Sequence, residues 1–352
     1  MNSFKLLFSI WKHLNRKRKI GILISLVLTI ISSFSEILSL ATVIPLLSII
    51  SKPENFLSNS FFNKISKLTG VNLYSEVLIL VTFLFISASL FCALIRFINL
   101  KHSNNLSAQI GTDLASKAFT NILYQPYKFH LELNSSSVIS SLTTKLNLTV
   151  QSINQLLLFI TSLSITISIV ISLFFINIKI SSFIFLTISI SYLIISILFR
   201  KKIKRNTQKI SKSSKGQVKY LQEGLGAIKE ILLYGNQDFF IKKFRNEDQI
   251  LRKHISSNIV ISVFPRYFLE AFAFIAIATI ALFLTLQLDE KNSIIPILGT
   301  FALGAQRLLP SIQQLYYAFT TVKGTHSAVE DVLKWLNTKN KTFSPNNKIK
   351  QF

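Results

Sequence analysis

Residues 77–95 read VLILVTFLFISASLFCALI, nineteen uncharged residues closed by Glu76 on one side and Arg96 on the other. A helix needs about 20 mostly apolar residues to cross a hydrocarbon core of roughly 30 Å, so this stretch reads as a membrane span. The same pattern recurs on both sides of it. Between Lys19 and Lys52 the only charge is Glu36, and residues 146–178, 180–199 and 271–288 carry none. Asn292 to Val322 is interrupted only by Arg307. Six spans follow, at about 20–50, 77–100, 146–178, 180–199, 259–288 and 292–322. The first, third and sixth are longer than a bilayer and should project into water. The first run is also too long for a cleavable signal peptide and lacks a small-residue cleavage site.

Composition points the same way. Of 352 residues, 50% are hydrophobic and 15% are charged, against roughly 25% charged in a soluble domain. Lys and Arg total 39 against 15 Asp and Glu, a net charge of +24. A nucleic-acid partner is not expected, because such a binder would not also carry 30 Phe and uncharged runs of bilayer length. The single cysteine, Cys92, excludes a disulfide framework and Cys-based zinc sites. The five histidines show no HExxH or HxxH spacing, so no metal site is expected, and no catalytic constellation is visible. The expected class is an all-α polytopic membrane protein with six transmembrane helices.

Lys and Arg counts set the orientation. Segments 1–19, 101–145, 200–256 and 317–352 together hold 31, whereas 51–76, Lys179 and Lys291 supply five. Both termini should therefore be cytoplasmic, and the surplus charge serves topology and attraction to anionic inner-leaflet lipid. Lys179 and Asp289–Lys291 mark short outer turns, while the inner connections have about 45 and 57 residues. Both inner connections read as helical arms. In one, Leu106, Ile110, Leu114, Phe119 and Ile122 fall at helical spacing, and in the other Val218, Leu221, Leu225, Ile228, Ile231 and Leu232 do. Arms of about 20 residues would reach on the order of 30 Å beyond the membrane, with turns expected at Gln125–Ser137 and Gly224–Gly235. Residues 1–19, aromatic and then basic, suit a short interfacial helix. Residues 20–336 form the membrane domain, and 337–352 read as a polar linker.

This order of interfacial helix, six spans, long inner arms and short outer turns resembles the transmembrane domain of a type I ABC exporter. Glu36-Ile-Leu-Ser-Leu-Ala-Thr-Val-Ile-Pro45 looks like the first-span signature of the branch that flips lipid-linked sugars. Tyr124-Gln-Pro-Tyr-Lys-Phe-His130 and Glu223-Gly-Leu-Gly-Ala-Ile-Lys-Glu-Ile231 look like its two coupling turns. Pro265-Arg-Tyr-Phe-Leu-Glu270 and Gln306-Arg-Leu-Leu-Pro-Ser311 resemble its fifth- and sixth-span motifs. The resemblance implies a bacterial inner-membrane subunit working as a homodimer or with a related half-transporter. It also implies coupling to an ABC nucleotide-binding domain through Pro126, Tyr127, Phe129, Gly226, Ile228, Lys229 and Glu230. The implied substrate is a polyprenyl-pyrophosphate-linked oligosaccharide; a peptide or lipid exporter, or a scaffold without transport, stays open.

No GxxxxGK[ST] occurs in the chain, and Gly299 and Gly304, at the right spacing, are followed by Ala305. The expectation is therefore a chain with no nucleotide-binding, catalytic or metal residues of its own. ATP and Mg would act through a partner domain. A fragment, a truncated product and a subunit served by a separate ATPase all fit.

Ionisable groups inside a bilayer cost about 2.5–3.5 kcal/mol each on insertion scales, which makes them candidates for the substrate path. Measured from the outer ends of their spans, Arg96, Arg307, Arg266 and Glu270 lie about 28, 22, 33 and 27 Å down, in the inner-leaflet half. Glu36, about 24 Å above the inner end of the first span, is expected in the outer half, away from the arginines. Two readings are open: arginines that snorkel beside an Arg266–Glu270 pair, or a cationic site for an anionic head group.

Overall fold

A backbone withdrawn from water must bond to itself, and a helix does so within one segment. A computed structural model describes residues 3–51, 74–287 and 294–338. Among the described residues the regular structure is helical throughout, the all-α membrane architecture read from the sequence. Helix α1 (Ser3–Ile10) leads through a tight turn into α2 (Arg16–Ala41) and α3 (Val43–Ser51). Then come α4 (Tyr74–Leu123), α5 (Tyr127–Leu131) and α6 (Ser135–Ser140), which passes through a wide turn at Ser141–Lys145 into α7 (Leu146–Ile176). The remainder is α8 (Ile178–Gly226), α9 (Ile228–Tyr234), α10 (Gln237–Gln287), α11 (Ile294–Gly324) and α12 (His326–Asn337). The first outer loop, the outer turn at Asp289–Lys291 and the tail beyond residue 338 lie outside the described residues.

By length and composition alone, Arg16–Ser51, Ser75–Leu123 and Ser135–Ile176 can cross a membrane. The other three expected spans fall in α8, α10 and α11. At 50 residues, α4 is about 75 Å long, more than twice a hydrocarbon core. The excess of α4, α8 and α10 forms two arms at one end of the molecule, the arm end.

Local chemistry explains where helices break. Pro45 lacks an N–H and its ring opposes the carbonyl of Ala41, which is where α2 stops. Asn177, in extended conformation, is the whole link between α7 and α8. At the tip of the second arm, Gly235 adopts φ 67°, a left-handed cap that ends α9. Several serine and threonine hydroxyls inside the spans bond to carbonyls one turn back, as Ser33 does to Thr29 and Ser172 to Ser168, and these remain satisfied in an apolar setting.

The largest core lies at the arm end, where Leu7 of α1, Ile110 of α4, Ile153 of α7 and Val332 of α12 pack together. A second joins α2, α7 and α11 through Leu40, Ile169 and Leu308. Both arms are helical, as read from the sequence, and burial selects only part of each apolar pattern. The buried stripe of the first arm passes through Ala118, and Phe119 points outward. A helix turns 3.6 residues per turn, so after Leu114 the next inward position is 118. Of the second arm's stripe only Ile231 is buried, while Leu221, Leu225, Ile228 and Leu232 stay exposed because no element among the described residues covers them.

Candidate functional site

Glu36 of α2, Arg96 of α4 and Arg307 of α11 meet between three helices. Arg96 Nη1 donates to Glu36 Oε1 at 2.9 Å, and Arg307 Nη1 donates to Oε2 at 2.9 Å. Arg307 Nη2 donates to Ser39 Oγ at 2.8 Å, and Ser39 lies 3.3 Å from Ser89 Oγ of α4. Glu36 is 0% exposed, Arg307 24% and Arg96 44%. Two guanidiniums share one carboxylate, leaving one positive charge in excess.

This overturns the expected separation of Glu36 from the arginines. Helices α2 and α4 run antiparallel in a register fixed by several pairs. Arg18 Nε donates to Asp113 Oδ2 at 2.8 Å, and the His102 ring meets the Gly21 carbonyl at 2.9 Å. Asn99 Nδ2 donates to Thr29 Oγ1 at 3.4 Å. In that register position 36 faces position 96. The depth estimate failed because it took Lys19 and Val77 as membrane edges, whereas α2 and α4 both overrun the bilayer.

Below the triad a hydroxyl seam ties α2 to α7. Thr29 meets Thr161 at 2.9 Å and Ser33 donates to Ser164 at 2.7 Å. Close approach is required elsewhere too, since a Cβ added at Gly304 of α11 would stand 2.7 Å from Leu173 of α7. Small and hydroxyl-bearing residues permit such packing between membrane helices. Buried in this region, the Ser32 hydroxyl and Asn99 Oδ1 have no hydrogen-bond partner among the described residues.

The chain does not bring every candidate to the triad. Arg266 and Glu270 lie on α10; the Arg266 side chain is outside the described ones. Pro126, Tyr127 and Phe129 sit at the first arm's tip, with Tyr127 exposed and Phe129 half-buried. Gly226, Ile228, Lys229 and Glu230 are exposed at the second tip. A cavity of about 120 Å³ opens between α7, α8, α10 and α11, bordered by Gln151, Ile203, Asn258 and Tyr317. Beside it His254 Nδ1 meets Asn206 Oδ1 at 2.8 Å. Burial, with Lys209, Lys253 and Arg205 nearby, holds that imidazole below its ordinary value. Among the described residues no cluster of His, Cys, Asp and Glu could hold a metal ion.

The sequence signature of the ABC transporter transmembrane region matches residues 20–306. That covers most of the chain, from α2 to the middle of α11. The chain belongs to the ABC transporter transmembrane family. It is the membrane subunit of an ABC exporter, and an ABC transmembrane region implies pairing with a nucleotide-binding domain or a second half. The triad lies within the matched residues except for Arg307, which falls one residue beyond them.

Sequence reasoning missed Ser39, Ser89 and the Asn99–Thr29–Thr161 seam. Asn99 offered a signal, because an amide three residues from Arg96 in an apolar run shares its helix face.

Proposed function

We propose that this ABC exporter subunit moves a polyprenyl-pyrophosphate-linked oligosaccharide across the bacterial inner membrane. The observation that supports this most directly is the meeting of Arg96 and Arg307 inside the spans with one carboxylate for two guanidiniums. Arginine's planar fork matches phosphate oxygens, and hydrogen bonds to charged groups contribute about 1.5–3 kcal/mol each. Arg266, on the fifth span, would add a further donor, with Glu270 beside it on the same helix.

In this reading both termini are cytoplasmic, consistent with the Lys/Arg imbalance. A second copy or a related half completes the pathway. ATP and Mg act at a partner nucleotide-binding domain that docks on α5 and α9, and its closure drives alternating access. The exposed apolar residues of the second arm support such docking, because large apolar surface left uncovered marks an interaction site.

The test is reconstitution with the ATPase partner in proteoliposomes, following a fluorescent lipid-linked oligosaccharide across the bilayer. ATP-dependent movement is expected, reduced about tenfold or more in Arg307→Gln, a loss of roughly 1.4 kcal/mol, and partly restored in Arg307→Lys. No ATP-dependent movement of any pyrophosphate-linked lipid would refute the reading.

A further inference from the structure

Glu36 holds Arg96 and Arg307 in an unusual way. Arginine and a carboxylate commonly pair fork to fork, through two parallel bonds. Here each guanidinium commits one nitrogen to the carboxylate, so Glu36 bridges the two forks without filling either. Arg96 is nearly half exposed and, among the described residues, forms no second ion pair. Glu36 is fully buried and ties α2 to both α4 and α11.

We propose that Glu36 is an exchangeable internal counter-anion, whose place on Arg96 and Arg307 the pyrophosphate of the substrate takes. This rests on the anion site proposed above. A pyrophosphate brings at least two negative charges and several acceptor oxygens to a site with one uncompensated positive charge. It fills both forks, which a single bridging carboxylate does not. In the empty site Glu36 shields the arginines from lipid and keeps α2 fastened to α11.

The displaced carboxylate has a place to go. Ser32 lies one turn before Glu36 on the same helix face, fully buried, and among the described residues its hydroxyl has no hydrogen-bond partner while Glu36 faces the arginines. It is a donor left for the exchanged state. Once Glu36 turns toward Ser32, the link between α2 and α11 is carried by the substrate instead of by the protein. Binding and helix movement are thereby joined at one residue.

The experiment measures binding of farnesyl pyrophosphate and of inorganic pyrophosphate to the full chain in nanodiscs. Wild type is compared with Glu36→Gln, Glu36→Asp and Arg307→Gln. With the internal competitor neutralised, Glu36→Gln should bind farnesyl pyrophosphate about tenfold tighter, and Arg307→Gln about tenfold weaker. Glu36→Asp, too short to span both guanidiniums, should bind a few-fold tighter and keeps the test alive if the glutamine variant misfolds. Inorganic pyrophosphate should follow the same order if the head group alone drives the exchange. A rank order seen only with the farnesyl compound places the competition on the lipid-linked source. Glu36 variants that bind as weakly as Arg307→Gln, or like wild type, overturn the exchange and leave the anion site standing. If wild type binds neither compound, the anion site itself is lost.

Discussion

Lys145 and Asp331, 186 residues apart in sequence, form an ion pair, buried on the lysine side, between the root of α7 and helix α12. Lys145 is 1% exposed, and Lys215 of α8 approaches the same carboxylate at 3.9 Å. One aspartate thus gathers α7, α8 and α12. Asn121 of α4 adds to this by donating to the carbonyls of Trp335 and Leu336, both at 3.1 Å.

Removing one partner of a buried pair is costly because the other charge stays behind. Asp331→Asn should destabilise the chain by about 3 kcal/mol, whereas Lys145→Met, which removes the buried charge itself, should cost clearly less. Thermal unfolding in detergent ranks the two. Equal losses would mean that the pair is weak and that packing alone holds α12.

The fold was legible because the bilayer is an exacting ruler, and an uncharged run such as 77–95 has few other readings. The three charges of the triad were also legible, each standing out in an apolar run. Their meeting was not. Charges at helix ends mark membrane edges only when helices match the bilayer, and α4 exceeds it more than twofold. Lys145 and Asp331 left no trace, because Lys145 follows Thr143 and Thr144 and Asp331 follows Glu330, settings in which a charge looks solvated. The inward Ala118 was not legible for another reason: a small residue beside the larger Phe119 gives no signal of its own, and geometry decides which of the two is buried.

That pair of neighbours yields a direct comparison. Ala118 is fully buried in the core at the arm end, so Ala118→Phe should overpack that core and cost about 1–3 kcal/mol. Phe119→Ser, outside the core, should stay within about 0.5 kcal/mol of wild type. Unfolding midpoints of the two purified variants check this. The reverse order would place the stripe one residue later.

The junction of α1 and α12 should respond to acid. His13 Nε2 meets Asn337 Oδ1 at 3.0 Å. Burial, followed by the nearby charge of Lys117, holds the His13 imidazole below its ordinary value of 6.5. Freed from the fold, His13 binds a proton more readily than within it. Its contribution is therefore complete above pH 6.5 and declines as pH falls through 6.5 toward the lower folded value. Hydrogen exchange of α12 amides, corrected for the intrinsic rate, should show protection falling between about pH 7.5 and 5.5. The decline should be shallower in His13→Gln. Identical pH profiles would remove His13 from the account.

The final prediction concerns the second arm. Leu225, Ile228, Leu232, Leu233 and Tyr234 cluster around α9 and are exposed, with only Ile231 turned inward. Each is a large exposed side chain at the arm tip, which water and not lipid would surround with the arm projecting about 30 Å from the membrane. Apolar area costs about 25 cal/mol per Å² while exposed, so a partner surface that covers this patch gains what the isolated chain forgoes. Leu233→Ser and Tyr234→Ser should accordingly leave the stability of the chain within about 0.5 kcal/mol, since they contribute nothing to its own core. The same substitutions should weaken association with the nucleotide-binding partner and lower its transport-coupled turnover together. Cysteines placed at Ile228 and Tyr127 should cross-link to that partner, and the native Cys92, buried within a span, leaves the background low. Two measurements decide: unfolding of the chain alone, and cross-linking under ATP turnover. Variants that unfold early but still capture the partner normally would make the patch part of this chain's own packing and remove it from the docking surface.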